Sequence, residues 1–275
     1  KIEDNRAGDS LSVIMINQKL GSIATFDSSD NMRNWSGVTL WEATDDLVKK
    51  HPEALGRVRS VKFSMFNLKS GETLPKEVGN LKFLESFSVA ANENNQIREV
   101  NLGDEICSLK YLKNLTVQAY GLTQLPANFI NLGKSLESLN LVSNNFNKLS
   151  DITNIVNEKN FPKLRNLILY AQRRRHPAAG ITPWDKDVVI NIASLGEMNA
   201  SGVYVYNNYP IGLYGKVNAG TPDRQALLKL LTWDKLNTLE LSYCFLEGEL
   251  PTDEEMTEAL EAAGKATRYS RADFS

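Results

Sequence analysis

Apolar residues recur along this chain in a fixed frame. In Leu136-Glu-Ser-Leu139-Asn-Leu141-Val-Ser-Asn144-Asn-Phe146, leucine holds the first, fourth and sixth positions and asparagine the ninth. The frame starts seven times, at Val58, Leu84, Leu112, Leu136, Leu164, Ala200 and Leu236. Its fourth positions are Val61, Phe87, Leu115, Leu139, Leu167, Val203 and Leu239; its sixth are Phe63, Val89, Val117, Leu141, Leu169, Val205 and Leu241. Apolar residues two apart predict a short strand with one buried face. One such strand has nothing to pack on, so the copies must stack and share a core. The ninth position holds Phe66, Asn92, Tyr120, Asn144, Gln172, Asn208 and Cys244. An asparagine there can satisfy backbone groups exposed as the chain leaves the strand. Phe66 precedes Asn67, which suggests a turn shifted by one residue. Tyr120 and Gln172 are departures at which local distortion is expected.

This frame resembles the leucine-rich repeat. The resemblance implies an α/β leucine-rich-repeat solenoid, a curved right-handed superhelix with a concave parallel sheet and mixed helices and turns on the convex side. The steps between starts are 26, 28, 24, 28, 36 and 36 residues, so insertions are expected in the last two. Asn34-Trp-Ser-Gly-Val38, Gly56-Arg-Val58 and Leu74-Pro-Lys-Glu-Val-Gly-Asn-Leu81-Lys-Phe-Leu84 resemble the opening of plant-type leucine-rich-repeat ectodomains. Those ectodomains bracket this opening with paired cysteines, which are missing here. In that respect the chain is similar to the cysteine-poor surface leucine-rich-repeat proteins of Bacteroides-like bacteria. Residues 35–251 form the predicted repeat domain, with about seven repeats; 1–34 form an N-terminal cap or linker and 252–275 a capping helix and tail.

Along the chain, Val13-Ile-Met-Ile16 suggests a strand, 21–34 a polar connection, and 42–55 a helix. Leu74-Pro75, Leu125-Pro126 and Leu250-Pro251 mark one recurring point, where the chain turns outward and needs no ladder hydrogen bond. Val188, Ile192 and Leu195 have helical spacing after Thr182-Pro183. Thr221-Pro-Asp introduces a second helix through Leu231, and Pro251-Thr-Asp-Glu-Glu255 is a capping box for a terminal one.

Composition narrows the function more than it defines it. Thirty-one basic and 33 acidic residues nearly cancel, unlike the basic footprint of a nucleic-acid binder. No apolar run is long enough to span a membrane. The chain begins at Lys1 rather than Met, so a processed protein or excised fragment is expected. Cys107 and Cys244 fall 137 residues apart in different repeats and are expected to be buried thiols. The histidines, His51 and His176, form no metal-binding spacing, and Gly133-Lys-Ser135 lacks the first glycine of a phosphate loop. Sequons at Asn34, Asn114 and Asn199 are assigned no glycan, since Asn114 would carry it on the concave face. No cofactor is implied, and the chain is expected not to be an enzyme.

The third, fifth, seventh and eighth positions of the frame point away from the core. They are small and mostly polar in the first four repeats, then become larger. Tyr170, Tyr204, Tyr206 and Tyr243, with Asn207 and Glu240, form the predicted recognition patch, and Arg173, Arg174 and Trp184 border it. Tyrosine combines large contact area with a polar tip. The expected function is non-enzymatic binding of a protein or peptide at a bacterial cell surface or outside the cell. A glycan, stacked on tyrosine beside amides and carboxylates, is the alternative.

Overall fold

A computed structural model describes residues 1–66, 68, 71–91, 100–118, 121–144, 146, 148–170, 172, 175–176, 188–189, 197–198, 204–206, 209–210, 214–216, 221–242, 245–247, 249–265 and 271–273; in 175–176, the short strands from 188 to 216, 245–247 and 271–273, the backbone alone is described. The frame becomes one strand per coil: β2 (Val58–Phe66), β3 (Ser86–Ala91), β4 (Asn114–Gln118), β5 (Ser138–Asn140) and β6 (Asn166–Ile168) pair in parallel and in order. β1 (Val38–Leu40) closes the N-terminal edge, antiparallel to β2. Every residue at the first, fourth and sixth frame positions whose side chain is described is at most 3% exposed. They form one continuous core with the outer-side residues Val78, Ile106, Phe129, Ile152 and Leu227. The fold is an α/β solenoid of the leucine-rich-repeat type.

The outer side of each coil is built from short helical turns. Pro75 and Pro126 sit immediately before the 3-10 segments Lys76–Asn80 and Ala127–Lys134, at the predicted outward turns. Their fixed φ and missing N–H suit a position where no ladder bond is made. In the 42–55 stretch the helix is shorter than expected: α2 (Asp46–Lys50) is followed by a 3-10 turn at Pro52–Ala54, and Leu55 is exposed. α3 (Leu149–Thr153) lies on the outer side of the next coils.

Val13–Ile16 is not a strand. It lies inside α1 (Arg6–Leu20), capped by the Asn5 side chain, which accepts from Gly8 N at 2.8 Å. Its buried face is Val13, Ile16 and Leu20 together with the polar Asp9 and Ser12. Those two polar residues interrupt the apolar stripe and hid the helix. Asp9 has a partner: Arg57 Nε and Nη2 donate to its carboxylate at 2.9 and 2.8 Å, and Val58 N at 2.9 Å. α1 is thus tied to the first residue of β2.

The larger departure is the sixth frame. β6 pairs directly with β13 (Thr238–Glu240), so the Leu236 rung sits beside the Leu164 rung. The 72 residues between these starts therefore form one long coil, not two. The intervening strands pair elsewhere: β7 (Arg175–His176) with β8 (Val188–Val189), and β9 (Glu197–Met198), β10 (Tyr204–Tyr206) and β11 (Tyr209–Pro210) in a three-stranded antiparallel sheet. Val188 is in a strand rather than the expected helix; Ile192 and Leu195 lie outside the described residues. The sixth frame starts with Ala200, where every other frame has Val or Leu, which leaves little side chain to bury at its first position. Tyr206 pairs with Tyr209, leaving a two-residue connection of sequence Asn-Asn, a good tight-turn pair. Local hairpin pairing prevails over the weak rung.

The chain rejoins the solenoid through α4 (Pro222–Leu231), where Thr221 Oγ1 accepts from Arg224 N at 3.2 Å. β12 (Tyr214–Lys216) pairs in parallel with β14 (Phe245–Glu247), joining the inserted segment to the exit from β13. α5 (Asp253–Ala262) starts at the predicted capping box, Thr252 accepting from Glu255 N at 3.1 Å. β15 (Arg271–Asp273) adds the last strand beside β13.

Candidate functional site

The register of the sheet fixes which outward residues are neighbours. One row runs Ser60, Ser86, Asn114, Ser138, Asn166, Thr238, and the next Lys62, Ser88, Thr116, Asn140, Ile168, Glu240. None of these twelve residues is buried, whereas the alternating inward positions all are. Adjacent members stand roughly 4.8 Å apart, the inter-strand spacing. At the N-terminal end Thr39 continues the first row, its hydroxyl 2.5 Å from that of Ser60. The open face is thus a regular, mostly polar surface of small side chains.

It changes at β5, β6 and β13. Ile168 lies between Asn140 and Glu240, and Val142 and Tyr170 continue the same face. All five are half-buried. Ser143, with φ of +56°, donates its N–H to Tyr170 O at 2.9 Å, which extends the contact of the two coils beyond the strands. Met65 adopts the same left-handed conformation at the same frame position, where the β2–β3 register is irregular. Phe66 pairs with Ala91, one position out of frame, while Asn67, beside which the shifted turn was expected, lies outside the described residues.

The ninth position shows why the rungs stay aligned. Asn144, fully buried, donates Nδ2 to Val117 O at 2.7 Å and Leu141 O at 2.9 Å, and accepts from Leu122 N at 3.3 Å. Gln172 repeats the scheme one coil later: Nε2 donates to Leu141 O at 2.7 Å and Leu169 O at 3.3 Å, and Oε1 accepts from Phe146 N at 3.2 Å. Gln172 is therefore no distortion. The extra methylene leaves the amide's donors and acceptor intact. Tyr120 lies outside the described residues.

Of the predicted recognition residues, Tyr170 and Glu240 are on the open face, two positions apart along adjacent rungs. Tyr204 and Tyr206 are not beside them in the solenoid sheet; their strand belongs to the separate antiparallel sheet, because the sixth frame forms no rung. Asn207, Tyr243, Arg173, Arg174 and Trp184 lie outside the described residues. Val142, Asn140 and Ile168 join Tyr170 and Glu240 instead. All three are outward positions of the frame, and Ile168 and Val142 are the aliphatic residues expected of a protein-binding face.

A second concave feature lies at the rim where the strands begin. A groove of about 850 Å³ is lined there by Trp41, Arg59, Glu85, Lys113, Glu137 and Arg165, among others. The Arg59 guanidinium sits 4.3 Å from the Trp41 ring centroid and pairs with Asp45 at 3.4 Å and Glu85 at 3.2 Å.

Among the described residues, no three His, Cys, Asp or Glu side chains converge to hold a metal ion. Burial, reinforced by Asp104 and Glu105, pushes the Cys107 thiol up to about 12, so it is not a thiolate near neutrality. Among the described residues, no helix is long and apolar enough to cross a membrane.

No protein-family model matches the chain, and no curated protein matches it. Solved structures do. The leucine-rich-repeat ectodomain of the receptor kinase SOBIR1 from Arabidopsis thaliana is 18% identical, with 88% of this chain and 96% of that one covered and a TM-score of 0.46. A plant ice-binding protein is 17% identical over 91% of this chain and 90% of that one, with a TM-score of 0.40. A leucine-rich repeat protein from Bacteroides eggerthii is 10% identical over 61% and 50%, with a TM-score of 0.32. At such identities the likeness carries nothing about ligand. The repeat fold itself stands on the parallel register, the buried frame positions and the amide bonds of Asn144 and Gln172.

Proposed function

We propose that this protein is a non-enzymatic binding module whose open sheet face engages a protein or peptide. One observation carries the reading: Val142, Ile168 and Tyr170 interrupt an otherwise small, mostly polar surface at one place, beside Asn140 and Glu240. Half-exposed aliphatic and aromatic side chains rimmed by polar groups are the composition of a contact patch. The face is also broad and rigid, since its strands are held by a continuous core. The cysteine-poor likeness at 34–84 supports an extracellular setting on a bacterial surface. Tyr204, Tyr206, Asn207, Tyr243, Arg173, Arg174 and Trp184, in the long coil or after β13, remain candidate contacts in this reading.

A glycan is the second reading, favoured by the amides of Asn140 and Asn166 and the Glu240 carboxylate near Tyr170. The two are separated by a pull-down from envelope or host extract, run beside a glycan array, with wild type, Ile168→Glu and Tyr170→Ala. A protein retained by wild type, lost by Ile168→Glu and accompanied by a silent array is the expected result. Array signal abolished by Tyr170→Ala would replace protein by glycan as the ligand. Capture unchanged in both variants would remove the open face as the site.

A further inference from the structure

The second frame position forms a ladder of its own. Arg59, Glu85, Lys113, Glu137, Arg165 and Asn237 are stacked by successive backbone hydrogen bonds, each N–H donating to the carbonyl of the previous member at 2.7–2.8 Å. Their charges alternate until the last two. Arg59 pairs with Glu85 at 3.2 Å and Lys113 with Glu137 at 3.9 Å, but the rung after Arg165 offers only the neutral Asn237. Arg165 makes no side-chain ion pair or hydrogen bond among the described residues, and its Nη1 is buried without a partner. A buried guanidinium N–H left unpaired carries the desolvation cost of that group with no hydrogen bond to offset it. The same groove wall carries Lys110, Lys134 and Lys163, none ion-paired among the described residues.

We propose that the Arg165 end of this groove binds a carboxylate presented by a partner polypeptide, at a site separate from the open face. A guanidinium presents a planar fork that fits a carboxylate with two parallel hydrogen bonds. Lys134 and Lys163 supply further positive charge at that end. A uniform polyanion, such as a sulfated polysaccharide, fits poorly, because Glu85, Glu137, Asp45 and Asp46 line the same groove. A single acidic side chain, or a chain terminus, meets the cations at the Arg165 end and avoids the acids farther along. The site does not depend on the open-face reading: it uses another edge of the sheet and other residues.

The test is an NMR titration of the whole chain, following arginine Nε–H resonances. The probes are N-acetyl-glutamate N-methylamide, its glutamine isostere, and sodium sulfate. The expected result is a saturable shift of the Arg165 resonance with the glutamate probe, absent with the isostere. Arg165→Gln should weaken binding about tenfold, the equivalent of one charge-assisted contact, while Arg59→Gln leaves it unchanged. Arg165→Lys should fall between, since it keeps the charge and loses the fork. Arg165→Met should raise the melting temperature, because it removes an unpaired buried donor. Three results would each overturn the proposal: sulfate binding tighter than the glutamate probe, unsaturable shifts spread over all basic residues, or equal binding by wild type and Arg165→Gln.

Discussion

Asn144→Ala is the sharpest test of how the coils are held together. The side chain is fully buried and, among the described residues, makes three hydrogen bonds, with Val117 O, Leu141 O and Leu122 N. Truncation strips Leu122 N–H of this acceptor and Val117 O of this donor. Leu141 O is different, because Gln172 Nε2 still reaches it at 2.7 Å. Two groups are therefore counted, at about 1–3 kcal/mol each, which puts the loss near ~4 kcal/mol. For a chain of this length that corresponds to roughly 8–12 °C in melting temperature. Differential scanning calorimetry reads it directly. Asn114→Ala is the matched control: its side chain is exposed on β4, and its expected change is within about 0.5 kcal/mol. Gln172→Ala should behave like Asn144→Ala, since it strips Phe146 N of this acceptor and Leu169 O of this donor. The double variant should lose more than the two singles together, by about 1 kcal/mol, because only then does Leu141 O lose both donors. Strict additivity would refute the shared-acceptor account. A loss under about 1 kcal/mol in Asn144→Ala would refute the ladder itself.

Arg57→Ala should lower stability by about 3–5 kcal/mol in denaturant titration, since it leaves the Asp9 carboxylate buried without its guanidinium; Asp9→Asn in the same chain should recover part of this. Gly133→Ala should cost about 3 kcal/mol, because a Cβ there would stand 1.8 Å from Asn160 O, and backbone of the neighbouring coil cannot move aside alone. Acidification should destabilise the two ends of the solenoid. The Lys82 hydrogen bond holds Asp4, and the Arg224 hydrogen bond holds Glu255, below the ordinary carboxylate range. A carboxylate with a depressed folded-state value stabilises fully above its unfolded value and loses that contribution as pH falls through the folded one, so the loss should begin below about pH 4. Glu255→Gln should flatten part of the fall in melting temperature measured from pH 5 to pH 3.

The repeat was legible because its frame is enforced by burial. Leu136, Leu139 and Leu141 must be apolar, and they recur at intervals the chain cannot alter without opening the core. The outward turns were legible for a similar reason, since proline at 75 and 126 announces itself through its own geometry. What escaped was decided by competition. Val203 and Val205 satisfy the frame, yet the antiparallel hairpin of Tyr204–Tyr206 with Tyr209–Pro210 needs only a two-residue turn. A local contact closes at lower entropic cost than a rung whose neighbours lie tens of residues away. Frame matching scores both alike, because it counts apolar positions and not the volume that Ala200 fails to supply. α1 escaped by the opposite route. Asp9 and Ser12 look like solvent residues, and only the distant Arg57 makes one of them an interior residue.

The same reasoning explains where four of the nine candidate residues lie: Tyr170 and Glu240 on the open face, Tyr204 and Tyr206 in the separate sheet. Tyr170 and Glu240 follow from two strong frames, Leu164 and Leu236, so their face is dictated by the leucines between them. Tyr204 and Tyr206 inherited a face from a frame that forms no rung. Ile168 was the more informative residue. An isoleucine at an outward position between Asn140 and Glu240 has no packing reason to be apolar, whereas tyrosine is common on any strand. Arg165 makes the parallel case at the rim. Four members of the ladder are paired by charge alternation, and the fifth, Arg165, meets the neutral Asn237 where an acid would continue the series, while carrying a buried donor. In a solenoid whose repeats tell almost nothing about ligand, the outward residue that breaks its own row is the better guide to function.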